Sequence, residues 1–237
     1  MKINANQIIC ALDFDNIIKA EGFVANINYD IIFKIGMEFF YSFGLEGVSK
    51  IRKIKKNAKL FLDLKLHDIP NTVEKSIYPL VAKVKPYMLT LHVAGGKKML
   101  QESVVAATKA SIEYKIKKPL LLGVTVLTSL NSKDFKEMGH SILIEDCVKN
   151  YSKIAINAKL DGIVCSPLEV ELVKKLYGDN LKLITPGIRL KKNANDDQSR
   201  YLTPEEAFKK GSDFIVMGRP LINSTNPNKV IEKIIGY

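Results

Sequence analysis

Eight short apolar runs recur along the chain, and this alternation constrains the fold more than any other feature. The runs are Gln7–Asp13, Ile31–Gly36, Lys59–Lys65, Met88–Val93, Leu120–Leu127, Gly162–Ser166, Leu181–Gly187 and Phe214–Gly218. Each is nearly continuous in apolar residues, the pattern of a strand buried on both faces. Longer stretches of helical periodicity lie between them. Thr72–Lys83 places Val73, Ile77 and Leu80 on one face, and Leu143–Ala158 does so with Cys147, Ile154 and Ala158. Such alternation predicts a parallel α/β sheet. Eight units in 237 residues favour closure into a (β/α)8 TIM barrel, formed as a single domain over residues 1–237. No Pro-, Gly- or Ser-rich linker divides the sequence.

The charge balance is basic, +11 from 36 Lys+Arg against 25 Asp+Glu. Only four of the 36 are Arg, and the lysines are scattered rather than clustered with aromatics. A nucleic-acid surface usually concentrates both, so no nucleic-acid partner is expected. Cys10, Cys147 and Cys165 are far apart and form no CxxC pair, which argues against zinc sites and disulfides and for buried core thiols. The N-terminal residues lack a signal-peptide apolar stretch, and no apolar window is long enough for a membrane span. The expected location is cytoplasmic, with no membrane partner.

Polar residues gather where the apolar runs end. The sharpest cluster is Asp63-Leu64-Lys65-Leu66-His67-Asp68-Ile69-Pro70-Asn71-Thr72. Asp63 and Lys65 are two apart on a strand and so share a face, which in a barrel is the interior. An inward Asp/Lys pair in an apolar strand needs partners. Lys34, flanked by Ile31, Ile32, Phe33 and Ile35, would share that interior, and Asp13 ends the first strand. Alternating ammonium and carboxylate groups offset one another's burial and tune each other's pKa. The fifth run leads to Thr128, the seventh to Pro186-Gly187-Ile188-Arg189 and the eighth to Gly218-Arg219-Pro220. Barrels often hold phosphate after strands seven and eight, where Arg offers a bidentate fork and Gly a close backbone approach. The polar stretch Lys191–Arg200 would be a loop at that same end.

Together these residues resemble the orotidine 5′-phosphate decarboxylase family, in its bacterial branch. The resemblance runs from Ala11-Leu12-Asp13 to Gly218-Arg219-Pro220. It is carried by the Asp63–Thr72 block, Thr185-Pro186-Gly187-Ile188-Arg189, Asp197-Gln198 and Val216-Met217-Gly218-Arg219-Pro220. It implies decarboxylation of orotidine 5′-phosphate to UMP without metal or organic cofactor. Lys65 would be the general acid at C6 of the pyrimidine, with Asp63 beside the substrate carboxylate. Lys34 and Asp13 would meet the ribose hydroxyls and the charged network, and Thr128 the pyrimidine. Arg189, Gln198, Gly218 and Arg219 would hold the 5′-phosphate, with the 191–200 loop closing over it. Asp68 and Thr72 would cross a homodimer interface to serve the partner's site.

Two alternatives bound this expectation. Sugar-phosphate decarboxylases and hexulose-phosphate synthases share an Asp-x-Lys-x-x-Asp run but use a divalent metal; the Ile69-Pro70-Asn71-Thr72 continuation and Asp197-Gln198 speak against them. A basic, non-catalytic nucleic-acid-binding barrel is the second. His67 points away from Asp63 and Lys65 by strand alternation, His92 is expected to pack, and His140 to be exposed. The three histidines show no metal-ligand spacing. Asp15 is expected to cap the first helix.

Overall fold

The computed structural model describes residues 3–190 and 202–236. Eight parallel strands close on themselves in chain order. They are β1 (Ile8–Ala11), β2 (Ile32–Gly36), β3 (Lys59–Leu66), β4 (Met88–His92), β5 (Leu120–Val124), β6 (Gly162–Val164), β7 (Lys182–Thr185) and β8 (Phe214–Met217). Closure runs through β1 against β8, with Ile9 opposite Val216 and Cys10 opposite Met217. Every apolar run of the sequence holds one strand. Six strands stop earlier than their runs, whose last residues turn out of the ladder toward one end of the barrel; β2 ends with its run at Gly36, and β3 continues one residue past its run, to Leu66.

The helices are α1 (Ile17–Asn26), α2 (Met37–Ile54), α3 (Pro70–Val84), α4 (Gly96–Glu113), α5 (Ser132–Glu137), α6 (Ile144–Asn157), α7 (Val170–Tyr177), α8 (Pro204–Lys209), α9 (Arg219–Ile222) and α10 (Pro227–Ile235). Pro70 starts α3 at the position where its missing N–H costs nothing. Asn16, not Asp15, caps α1: its side chain accepts the N–H groups of Ile18 and Lys19. Asp15 instead faces Lys19 at 3.9 Å on the exposed surface. The expected faces of α3 and α6 hold, although Val81 and Ala155 are buried where Leu80 and Ile154 are only half-buried.

The strands bury two kinds of surface. Outward residues such as Ile8, Cys10, Phe33 and Leu62 join the helices in one large core. Inward residues Ile9, Ile32, Phe61, Met88, Leu122 and Ile184 form a separate cluster that fills the barrel. This layer is a packed floor, as expected of a (β/α)8 barrel. Cys10, Cys147 and Cys165 are all buried and free. No helix among the described residues is long and apolar enough to cross a membrane.

Candidate active site

Above the apolar floor, toward the carboxyl ends of the strands, a cavity of about 270 Å³ opens. Its lining includes Asp13, Lys34, Asp63, Lys65, Thr128, Arg189 and Gly218. Seven of the residues singled out in the sequence thus meet in one space. The wall is two-sided. Lys34 of β2, Asp63 and Lys65 of β3 and Asp13 just past β1 form a charged side, whereas Val124, Val164, Pro186 and Val216 supply an apolar face from β5 to β8, with Arg189 beyond β7.

The charged side is one continuous network. Lys65 Nζ donates to Asp63 Oδ2 at 2.9 Å. Lys34 Nζ lies 3.4 Å from the same oxygen and 3.7 Å from Asp13 Oδ1. The Lys34 and Asp63 side chains are each 12% exposed, so neither charge would persist there alone. Burial pushes the Asp63 carboxyl up. The Lys34 and Lys65 ammoniums, with hydrogen bonds from Lys65 and Thr90, outweigh burial and hold it below the usual carboxylate range.

Local structure sets these positions. Lys65 has φ of 50°, a left-handed backbone that a lysine rarely adopts. The β3–β4 ladder shifts register there: Leu62 pairs with Leu89, but Leu66 pairs with Leu91. The regular pleat that puts Asp63 and Lys65 on one face is therefore broken, and a bulge brings their side chains together. Gly36, at the end of β2, leaves room for Lys34. A Cβ there would stand 2.9 Å from Lys34 Nζ and 3.6 Å from Asp13 Oδ1. Gly187 has φ of 76°, a turn conformation that suits glycine, immediately before the Ile188–Leu202 bridge that anchors Arg189.

Other expected residues lie outside the cavity lining. Asp68 and Thr72 are exposed beyond the end of β3, and Asp68 Oδ1 accepts the Ile69 N–H. Arg219 is exposed, one residue past Gly218. Asp197, Gln198 and the rest of the Lys191–Arg200 stretch fall outside the described residues. Thr128 does line the cavity, from a turn four residues beyond β5 rather than from its end. His67 is exposed with its ring 5.3 Å from that of His92. Burial, then the neighbouring His67 and Lys65 charges, lower the His92 pKa despite the opposing pull of Asp63. His140 is half-buried and stacks on Phe135 with ring centroids 4.0 Å apart, which corrects the expectation of an exposed side chain.

Two residues of the network escaped the sequence reading. Thr90 is wholly buried and donates to Asp63 Oδ1 at 3.0 Å. Its signal was a hydroxyl in the middle of the apolar run Met88-Leu89-Thr90-Leu91. Gly36 was visible as the last residue of a strand run that carries a lysine. Among the described residues, no three His, Cys, Asp or Glu side chains converge as a metal-ion cluster. The two cavity carboxylates, Asp13 and Asp63, already face ammonium groups.

The chain matches the model of the Orotidine 5'-phosphate decarboxylase / HUMPS family over residues 6–234. It belongs to this family. Curated relatives named orotidine 5′-phosphate decarboxylase include that of Saccharophagus degradans, 41% identical over 99% of this chain and 95% of the relative. Those of Legionella pneumophila strain Corby (97% of both chains) and Vibrio cholerae strain O395 (98% of both) are each 40% identical. Among solved structures, the orotidine 5′-phosphate decarboxylase of Lactobacillus acidophilus superposes with a TM-score of 0.84 at 33% identity, over 97% of each chain. The family description spans more than one activity, so the choice between them falls to the relatives and to the site.

Proposed function

We infer that the chain decarboxylates orotidine 5′-phosphate to UMP and CO2, the last step of de novo pyrimidine nucleotide synthesis. The observation that carries this is the Asp13–Lys34–Asp63–Lys65 network, facing an apolar wall in one cavity with Arg189 at its edge. Relatives bearing that name, aligned over almost the entire chain, support the same choice.

The chemistry follows from the charges. The bond from C6 to the carboxylate breaks, CO2 leaves, and the bonding pair stays on C6 in the plane of the ring. No adjacent π-system stabilises that pair well. A preorganised ammonium near C6 does so in a site that excludes water. Lys65 then gives a proton to C6, and its amine regains one from solvent. Asp63 sets a second negative charge against the substrate carboxylate, which disfavours the ground state. Lys34 offsets that charge, so Asp63 stays ionised in a nearly buried position. The apolar face suits the flat pyrimidine, with Thr128 beside it, while Asp13 and Lys34 meet the ribose hydroxyls.

We assign the 5′-phosphate to Arg189, Gln198, Gly218 and Arg219, closed over by the 191–200 segment. Contacts to a phosphate remote from C6 favour the closed state, so that binding energy is spent at the reacting carbon. We also propose one domain acting as a homodimer, in which Asp68 and Thr72 reach the partner's cavity. Their exposure supports this, as does the exposure of Ile69, Met37 and Tyr41, large apolar side chains at or near the same end of the barrel. A cytoplasmic location suits a step of nucleotide synthesis. We place no metal or organic cofactor in the reaction.

The test is the ultraviolet absorbance of orotidine 5′-phosphate, followed with purified protein in EDTA. Conversion that survives EDTA is expected. Absence of turnover, or activity restored only by a divalent metal, would overturn the assignment in favour of the metal-dependent branch.

A further inference from the structure

Thr90 faces the bulge that shapes the charged network. Between the pairs Leu62–Leu89 and Leu66–Leu91, three residues of β3 (Asp63, Leu64 and Lys65) stand against the single residue Thr90 of β4. The Lys65 N–H has no place in a regular ladder there. Thr90 Oγ1 accepts it at 2.9 Å. The same hydroxyl donates to Asp63 Oδ1 at 3.0 Å. A hydroxyl has one proton, so these two bonds fix its orientation. The arrangement divides the Asp63 carboxylate: Oδ1 takes Thr90, and Oδ2 takes the Lys65 and Lys34 ammoniums. Thr90 is wholly buried and is not among the residues that line the cavity.

We propose that Thr90 is a positioning residue for the reaction: its hydroxyl ties the backbone of Lys65 to the carboxylate of Asp63 and so fixes the aim of both. The inference rests on the assignment of chemistry to Asp63 and Lys65 made above. A hydroxyl that merely filled the bulge would need only the Lys65 N–H. The second bond, to a charged oxygen in a nearly dry position, is the stronger of the two. The groups facing Asp63 are Lys34 from β2, Lys65 on its own strand, and Thr90 with the neighbouring His92 from β4.

The test compares Thr90→Val, which removes the hydroxyl at nearly constant shape, with Thr90→Ser, which keeps it. For Thr90→Val, kcat should fall roughly 10- to 100-fold while KM changes by less than about threefold, because the lost bond touches no substrate. The acid limb of kcat/KM should move to higher pH, since the carboxylate loses a donor that favours its charged form. Thr90→Ser should restore both. Wild-type kcat and an unmoved acid limb in Thr90→Val would overturn the proposal, as would a Thr90→Ser variant as impaired as Thr90→Val. If Thr90→Val does not fold, Thr90→Ala is read against the same criteria. The Asp63 carboxyl titration, followed by 13C NMR in wild type and variant, separates this inference from the reaction assignment. A higher Asp63 pKa in the variant supports the inference even without turnover, and an unchanged one refutes it.

Discussion

Replacing Gly36 by Ala should separate activity from stability. The added Cβ would lie 2.9 Å from Lys34 Nζ, whereas an ordinary contact begins near 3.4 Å. The ammonium must therefore move by about 0.5 Å. It is the far end of a flexible side chain, so the backbone need not yield. Lengthening the 3.4 Å contact with Asp63 by that amount changes its Coulomb energy by only about 0.6 kcal/mol at an effective dielectric constant near 20. Gly36 has an extended backbone (φ −85°, ψ −178°), which alanine adopts freely. A Gly→Ala change at such a site gains about 0.4–1 kcal/mol by restricting the unfolded chain. The two terms nearly cancel, so the midpoint of urea unfolding should stay close to wild type. Activity has no such compensation, because misplacing an active-site group by about 1 Å can cost about 100-fold. A loss of roughly 10- to 100-fold in kcat/KM for orotidine 5′-phosphate is expected. Wild-type kcat/KM would refute the role given to Lys34, and a large fall in the unfolding midpoint would refute the claim that only a flexible tip must shift.

Three other outcomes are expected. Lys65→Ala and Lys65→Gly should both lose turnover, but the Gly variant should be about 1 kcal/mol more stable in urea because Lys65 holds a left-handed φ; equal stabilities would deny the backbone strain. Asp63 has a folded pKa held below its ordinary 3.8, so its contribution to stability is present above that value and is lost as pH falls through the folded value. The stability gap between wild type and Asp63→Asn should therefore shrink on acidification below pH 3.8, and a constant gap from neutral pH downward would contradict the lowered pKa. Mixing inactive Lys65→Ala with inactive Asp68→Asn should restore activity to about one quarter of wild-type sites, since each hybrid dimer rebuilds one of its two sites; no recovery after verified subunit exchange would exclude a shared site.

The fold was legible because burial on both faces leaves a plain mark. Each strand coincides with an apolar run to within a few residues, and the period switches to 3.6 between them. The site was legible to the extent that it breaks that mark: Lys34 and Asp63 are charges in runs that ought to hold none. Features that depend on pairing between strands were not legible. The bulge at Lys65 arises from the β3–β4 register, which no local pattern on β3 encodes. Thr90 reads as an ordinary strand threonine until the bulge opposite it is known. The capping error at α1 has a local cause: Asp15 and Asn16 are both strong N-cap residues, and the backbone choice of helix start decides between them.

The inward positions of the eight strands also show why catalysis and stability can coexist in so small an interior. The lower layer, Ile9, Ile32, Phe61, Met88, Leu122 and Ile184, is wholly apolar and nearly or fully buried. Two residues further along their strands, the first four of these give way to Ala11, Lys34, Asp63 and Thr90, while Leu122 and Ile184 lead to Val124 and Pro186. The polar substitutions are confined to neighbouring strands, β2 to β4. That confinement matters energetically, because a lone buried charge would cost several kcal/mol and each group here finds its partner on its own or the adjacent strand. It also places the ammonium and carboxylate groups on one side of the cavity and leaves the other side apolar. A planar ring laid against the apolar side would present one edge to Lys65 and Asp63. The barrel thus concentrates its departures from regular structure, namely the glycine at 36, the left-handed lysine at 65 and the hydroxyl at 90, around a single carboxylate.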